Sequence, residues 1–500
     1  RWVDTNKGRD GKLEIRSRLV ARDFKGDDKD RDDLFAETPP LEAKRMLLSR
    51  AASNRPDGRR RKLMFIDAKK AHLNPPCEQD VYIELPGECG EEAGKCGKLN
   101  FWLYGFRPAA AAWEKLYSQK LESVGFVRGK SCGVVFWHQE RDLALAVHGD
   151  DFTFCGLAED LRWIQDLMAS WFDIKLRAIL GDDPNDDKEV VILGRVVRWG
   201  SQVIEYEADP KHRKLVLEAF GLDENSKILT MNGPKEDRMP DEWEAEALER
   251  KEAKRFRALA ARLNFMSLDC PDLQFPIKQC SRDMAKPTNG SWTSIKKVAR
   301  YLLGRKKVVW KFWWQDEPTE ARVYTDSDWG GNVRDRKSTS GGAWFLGNHC
   351  IKTWSCTQGA FALSSAEAEF YAMIEGATRA KGLHTLANEL GFTKLANVVK
   401  LGTDSSAAKS FVSRRGLGKM RHLEIRDLWL QQQVREGFVE VSKVPGERNP
   451  ADLMTKILPL SDIRTRVADL GMEMVEGKVA DGSVGVKRVS FIGSVEVDSS

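Results

Sequence analysis

Apolar and charged side chains alternate along residues 12–24, the two-residue period of a half-buried strand, with Arg16, Arg18 and Arg22 among the polar positions. Residues 63–67, Leu-Met-Phe-Ile-Asp, form a short apolar run that reads as a buried strand ending on a carboxylate. Residues 110–125 carry the spacing of a helix. A second apolar run, 143–147, leads into His148-Gly149-Asp150-Asp151 and then Phe152-Thr153-Phe154. That pattern predicts two short strands about a tight turn, with Gly149 free to take a positive φ. Residues 157–173 read as a helix, and 181–188 and 231–241, rich in Asp, Asn, Gly and Pro, as loops. The range 242–268 predicts one long helix laced with i,i+4 charge pairs, and 292–304 another that is basic on one face.

Near 315–321 the pattern changes. Strands are expected over 322–327, 341–347 and 350–355, a strong helix over 364–386, and a strand over 397–403 followed by a helix. This alternation marks a separate α/β unit. From about 461 the chain is rich in Gly, Val and Ser, weakly patterned, and receives no element. No internal repeat is visible.

Composition sharpens this picture in a few places. A chain of 500 residues exceeds one ordinary core, so two to four domains are expected. Hydrophobic content of 41% with 31% charged residues excludes a disordered chain. No apolar run reaches the roughly 18 residues of a membrane helix, so no membrane contact is expected. The opening Arg1-Trp2-Val3 has neither an initiator Met nor a signal pattern and reads as the middle of a longer chain. The nine cysteines are scattered, without Cys-x-x-Cys or zinc-finger spacing, and read as reduced thiols of an intracellular protein. The net charge of +5 says little about partners. Two local clusters say more: Arg16, Arg18 and Arg22, and the run Arg59-Arg60-Arg61-Lys62, each of which could meet phosphates or simply face solvent.

Nucleotidyl transfer and phosphodiester hydrolysis by two divalent ions both require several carboxylates on rigid, converging backbone. Asp67 at a strand end and Asp150-Asp151 in a hairpin are one such supply. Asp326 and Asp404, each ending a strand, Glu369 inside a helix and Asp452 at a helix start are a second. Each has a blander reading taken alone. Turns favour aspartate for conformational reasons, Asp452 suits a helix N-terminus, and Glu367 and Glu369 could be solvated helix-face charges.

The segment Lys98-Leu99-Asn100-Phe101-Trp102-Leu103-Tyr104-Gly105, with Ala112-Trp113 after it, resembles the Leu-Tyr-Gly motif of copia-type LTR retrotransposon polymerases. Around it the family order holds. Arg18-Leu19-Val20-Ala21-Arg22 resembles the fingers motif, Phe65-Ile66-Asp67-Ala68-Lys69-Lys70-Ala71 the first catalytic motif, and His148-Gly149-Asp150-Asp151 stands where the family has Tyr-x-Asp-Asp. Val81 to Pro86, Gly125-Phe126, Arg257 to Met266, Cys270-Pro271-Asp272 and Arg300-Tyr301-Leu302 match further markers. Ser338-Thr339-Ser340-Gly341, Ala362 to Glu369 and Asn449 to Lys456 resemble the ribonuclease H domain of the same family, and His422 sits at one of its motifs with packing an equal reading.

The resemblance spans about residues 1–459 and implies an α+β / α/β multidomain chain: a right-hand polymerase fold (fingers, palm, thumb/connection) followed by a ribonuclease H-like α/β domain. Residues 1–230 would be fingers and palm, 231–315 a helical thumb or connection, 316–459 the ribonuclease H-like domain, and 460–500 an unassigned tail. It implies that Asp67, Asp150 and Asp151, and separately Asp326, Glu369, Asp404 and Asp452, bind Mg²⁺ or Mn²⁺, two ions per site, with Asp328 and Glu367 ranked behind them. Arg18, Arg22, His72, Tyr104, Gly105 and His148 would touch substrate. The expected activities are RNA-directed DNA polymerase and ribonuclease H. The expected partners are RNA template, DNA primer, RNA/DNA hybrid, dNTPs and other polyprotein segments, inside the cell in cytoplasmic particles with access to the nucleus.

Three positions depart from the family pattern: His148 for Tyr in the turn, His72 for the aromatic residue five after the first Asp, and Arg107-Pro108-Ala109-Ala110-Ala111 for Lys-Gln-Ala-Pro-Arg. They favour a competing reading, an inactive or repurposed nucleic-acid-binding remnant. All seven expected carboxylates standing in one frame opposes it. A one-site metal nuclease would account for 322–456 alone.

Overall fold

A computed structural model describes residues 2–6, 13–23, 34–90, 95–223, 225–233, 242–332, 334–417 and 425–477. Its first large sheet is antiparallel and contains β1 (Lys62–Ala68), β2 (Leu143–His148), β3 (Asp151–Gly156) and β4 (Ile174–Leu180). The order is β4-β1-β3-β2, continued by Val135–His138 and Val127–Arg128. Every residue of Leu143–Val147 is buried, because helices cover the sheet. Helix Pro108–Ser123 sets Trp113 and Tyr117 edge-on to Phe152 of β3, and helix Ala158–Trp171 packs on the same strand. The hairpin forms as expected, with Gly149 at φ 65°.

The sequence pattern assigns no element to residues 41–51, yet this segment is the hub of the fold. Helix α1 (Leu41–Ala51) packs on β1, β2 and β3 and also on the unit that begins near residue 321. Both of its sides are buried, so its charges are internal, and all but Lys44 are paired. Arg45 donates to Leu268 O at 2.7 Å, Ile351 O at 3.1 Å and Asp269 Oδ1 at 2.9 Å. Arg50 donates to Gly391 O at 2.6 Å and pairs with Asp142. Glu42 pairs with Lys352 at 2.7 Å. A buried ion is tolerated only when paired and hydrogen-bonded, and these ions hold the halves of the molecule together.

A second antiparallel sheet runs β5 (Glu189–Ile192), β6 (Arg195–Trp199), β7 (Val203–Ala208), β8 (Arg305–Trp313) and β14 (Met472–Glu476). Three expectations are corrected here. The range read as helical to residue 315 carries helices only to Gly304 and ends in the nine-residue β8. The long helix expected over 242–268 is two helices, Glu242–Ala245 and Arg250–Ser267, because Leu248 N donates to Pro287 O at 2.9 Å and Ala247 bridges Thr288. Part of the unassigned tail, residues 460–477, carries regular structure: helix α9 (Leu460–Asp469) buries Ile463 and Val467, and β14 pairs with β8. Of the loop expected over 231–241, residues 234–241 lie outside the described residues.

The third sheet has the order β11-β10-β9-β12-β13, from β9 (Ala321–Asp328), β10 (Thr339–Leu346), β11 (His349–Thr357), β12 (Val399–Thr403) and β13 (Val439–Lys443). Strand β9 is parallel to β12, which is parallel to β13. The 25-residue helix α7 (Ser365–Glu389) covers β9, β10 and β12. Gly376 lets it approach, since a Cβ there would strike the Thr325 side chain. The buried apolar side chains form one continuous cluster from Ala43 to Met472.

Two surface expectations also change. Trp2–Asn6 and Ile15–Leu19 pair as a separate ribbon in which Ile15, Arg16 and Ser17 are exposed, so the alternation there reflects strand pairing and not a half-buried face. The basic run is not a phosphate patch. Arg59 pairs with Asp57 and Glu159, Arg60 with Asp182, the buried Arg61 with Asp142 and Glu317, and Lys62 with Asp183 and Asp186. Among the described residues no helix is long and apolar enough to cross a membrane.

Candidate functional site

The hairpin and its neighbour bring two of the first three aspartates together. Asp151 opens β3 directly across from Asp67 near the end of β1. Arg177 joins them, donating to Asp67 Oδ2 at 2.7 Å and lying 3.4 Å from Asp151. It can do so because Arg177 is the extra residue of a bulge in β4, between the positions that pair with Ile66 and Phe65. Bulges re-aim side chains in this way. Asp150 stands exposed on the turn, its carbonyl accepting from Ala68 N at 2.9 Å. Trp113 Nε1 donates to Gly149 O at 2.9 Å and holds the turn from behind. Burial raises the Asp151 carboxyl above its ordinary range, against the pull of Arg177. Beneath it, the Lys44 ammonium is buried and makes no hydrogen bond, and burial lowers it to about 8.

The expected substrate contacts cluster beside this pair. The rings of His72 and Tyr104 lie 5.1 Å apart, and Arg18 lies 5.8 Å from the Tyr104 ring. Tyr104 O accepts from Ala21 N at 2.8 Å, and Gly105, at φ 90°, lies so close to Val20 and Ala21 that no side chain would fit. Arg22 is exposed one residue beyond Ala21. His148 is the cross-strand partner of Asp151. Burial lowers the basicity of both His72 and His148.

The second group converges more tightly. Asp326, Asp404 and Asp452 each offer an oxygen within 4.8 Å of the others, and they are the one group of three or more potential metal ligands among the described residues. Local sequence explains the convergence. Asn449 accepts from Ala451 N at 3.1 Å and donates to Thr325 O at 2.9 Å, tying the 3₁₀ turn Pro450–Met454 to β9. Gly341 leaves room for that turn, since a Cβ would lie 2.6 Å from Thr455 Cγ2. Glu369, on α7, accepts from Ser327 N at 3.2 Å through one oxygen, while its other oxygen is buried without a partner. Burial, reinforced by neighbouring carboxylates, raises Glu369, Asp326 and Asp404, with Lys456 opposing. Lys456 Nζ lies 2.5 Å from Asp452 Oδ1 and 3.4 Å from Asp326, and Thr455 Oγ1 donates to Asp326. The donor set is all carboxylate oxygen, with one buried oxygen unsatisfied, which fits a hard divalent cation.

The residues ranked behind these divide. Asp328 is largely buried, accepts from Thr339 N, and is pushed up to about 6 by burial. Glu367 caps its own helix: Leu363 N donates to it at 3.0 Å while Ser364 Oγ accepts from Glu367 N at 3.2 Å. His422 lies outside the described residues. Sequence reasoning missed Arg177, Lys44 and Arg466, for which no motif exists. It passed over Lys456, whose spacing of four from Asp452 was the available signal.

Residues 1–182 match the family described as reverse transcriptase (RNA-dependent DNA polymerase). The chain is 26% identical over 478 residues to the retrovirus-related Pol polyprotein from transposon TNT 1-94 of Nicotiana tabacum, which covers 92% of this chain and 34% of that protein. Pol polyproteins from transposons RE2 and RE1 of Arabidopsis thaliana are each 24% identical, over 93% and 95% of this chain and 31% and 32% of their own lengths. The chain thus spans about a third of the curated relatives it matches. With carboxylates presented on such a hairpin, these matches define a retrotransposon Pol segment carrying a reverse transcriptase-like domain. More narrowly, the chain is similar along most of its length to the Pol polyproteins of copia-type elements.

Proposed function

We propose that this segment is an RNA-directed DNA polymerase with a linked ribonuclease H, extending a DNA primer on RNA and removing the copied RNA. The observation that carries the reading is the presence, within one continuous core, of two separate carboxylate groups at strand ends of two different sheets. Residues 1–230 would serve as fingers and palm and 231–315 as thumb or connection. The ribonuclease H-like unit would begin near 316 and draw in residues 460–477, which support its site.

In the first site Asp67, Asp150 and Asp151 would hold Mg²⁺ or Mn²⁺, and in the second Asp326, Glu369, Asp404 and Asp452 would, two ions in each. Bound ions would supply activation of the attacking oxygen and charge neutralisation at the phosphate. The chain's own residues do the rest. Tyr104, His72 and Arg18 form a ring-and-cation surface beside Asp67 suited to a nucleotide, and Gly105 brings backbone to the same place. Trp113 fixes the height of the turn. In the second site Thr455 and Asn449 orient Asp326 and the Asp452 turn. Lys456 holds positive charge among the carboxylates and would have to move aside as cations enter. The partners proposed are RNA template, DNA primer, RNA/DNA hybrid, dNTPs and the remaining polyprotein segments. Recognition would run through phosphate and helix shape, and so weaken with salt.

A second reading, a nucleic-acid-binding chain without polymerase chemistry, is favoured by the Arg177 bridge across Asp67 and Asp151 and by histidines at 72 and 148. Primer extension on an RNA template with Mg²⁺, wild type against Asp150→Asn, separates the two. Extension lost only in the variant supports the polymerase. No extension by either protein, with Mn²⁺ tried and hybrid binding intact, supports the second reading.

A further inference from the structure

Helix α9 lies beyond every motif that marks the second site, yet it sends one side chain into that site's support. Arg466 is 8% exposed. Its Nη2 donates to Asp452 Oδ2 at 2.9 Å and to Gly446 O at 3.1 Å, and its Nη1 donates to Glu447 O and lies 3.7 Å from Asp469. Gly446 opens the turn Gly446–Arg448, and a Cβ placed on it would lie 3.2 Å from Asp404 Oδ2. One guanidinium therefore grips the carboxylate of Asp452 and the backbone that abuts Asp404, two of the three converging ligands. Its planar fork is suited to this, since it delivers several hydrogen bonds in fixed directions and stays charged when buried.

We propose that Arg466 is a positioning residue for the second site, holding Asp452 Oδ2 so that Oδ1 faces Asp326 and Asp404, and steadying the turn beside Asp404. This rests on the reading of that cluster as a divalent-cation site. Partners that orient ligating carboxylates typically contribute 10–100-fold to metal affinity or activity. The helix has its own anchors: Leu460 N donates to Thr230 O at 2.7 Å, and Ile463 and Val467 are buried. Removing the guanidinium therefore leaves α9 in place.

The test uses the whole chain with Asp67→Asn and Asp151→Asn, which silence the first site, and measures Mn²⁺ binding by calorimetry. Arg466→Met is expected to weaken binding by about 10–100-fold. Arg466→Lys, which keeps the cation without the fork, should fall between it and the parent. Arg464→Gln, which removes a pair between α9 and β14 (Arg464 to Glu476, 2.6 Å), should leave binding unchanged. In the chain without the two silencing changes, Arg466→Met should raise the Mg²⁺ needed for half-maximal hybrid cleavage while primer extension is unaffected. Unaltered or tighter Mn²⁺ binding by Arg466→Met overturns the proposal, tighter binding because the arginine would then act as a competing charge. An equal loss in Arg464→Gln also overturns it, by reducing the effect to the stability of the helix. If Asp452→Asn binds Mn²⁺ and cleaves hybrid like its parent, the cation-site reading fails and takes the proposal with it.

Discussion

Asp67 and Asp151 sit half-buried at the rim of the first sheet with one arginine between them, whereas Asp326, Glu369 and Asp452 lie inside the second unit, crossed by Lys456 and backed by Arg466. The first group is half-exposed, with the Arg177 guanidinium between two of its carboxylates and the Lys44 ammonium close to Asp151. The second concentrates carboxylates in low dielectric, where desolvation and like charge oppose ionisation. Such a cluster is already assembled, and divalent ions would relieve its repulsion.

Separate knockouts test this contrast most severely. Asp67→Asn should abolish primer extension, and Asp452→Asn should abolish hybrid cleavage, each by at least about 10³-fold, because several kcal/mol of transition-state stabilisation depend on the ions. Each variant should spare the other activity. Loss of both activities from either change would mean that the sites are not independent. Next in size, Trp113→Phe keeps the ring and deletes the bond to Gly149 O. A net loss of about 1 kcal/mol in holding the turn should slow extension roughly fivefold and leave cleavage alone.

Helix α7 and the hairpin around Gly149 were legible from the sequence because their signals are local: a strong helical pattern over 364–386 and a glycine between two apolar runs. Helix α1 was not. Its charges face inward, and partners such as Gly391 O lie hundreds of residues away, so no apolar stripe marks it. The same reason hid Arg466. The bulge that aims Arg177 left no trace in composition. The Arg59–Lys62 run misled, since a basic run looks the same whether its carboxylate partners are present or absent.

Acidity gives a smaller and distinct signature. Glu369 and Asp326 are raised in the folded chain, so without divalent ions the folded state binds more protons than the unfolded state above the ordinary carboxylate value of 4.5. Stability should therefore fall as pH rises from there through neutrality. The melting temperature in EDTA should drop by a few degrees, on the order of 2–4 °C per kcal/mol, between pH 5.5 and pH 8. Mg²⁺ should restore it mainly at the higher pH, and Glu369→Gln should flatten the profile. A profile unchanged by Glu369→Gln would remove the claim that the second group stores repulsion. The smallest effect expected is that of Arg177→Ala. Its pairs are partly exposed and worth about 0.2–1 kcal/mol. The variant should melt slightly lower without metal and need no more Mg²⁺ for extension than the wild type. A large rise in the Mg²⁺ requirement would mean that Arg177 orders the ligands instead of only balancing them.

The pairing of β8 with β14 joins stretches of chain about 160 residues apart. During synthesis, at roughly 5–20 residues per second, β8 would leave the ribosome with one edge open for roughly 8–30 seconds before its partner arrived. An open edge of that kind is a template for pairing with the wrong chain. The nascent polypeptide thus carries a timed vulnerability that the finished molecule no longer shows.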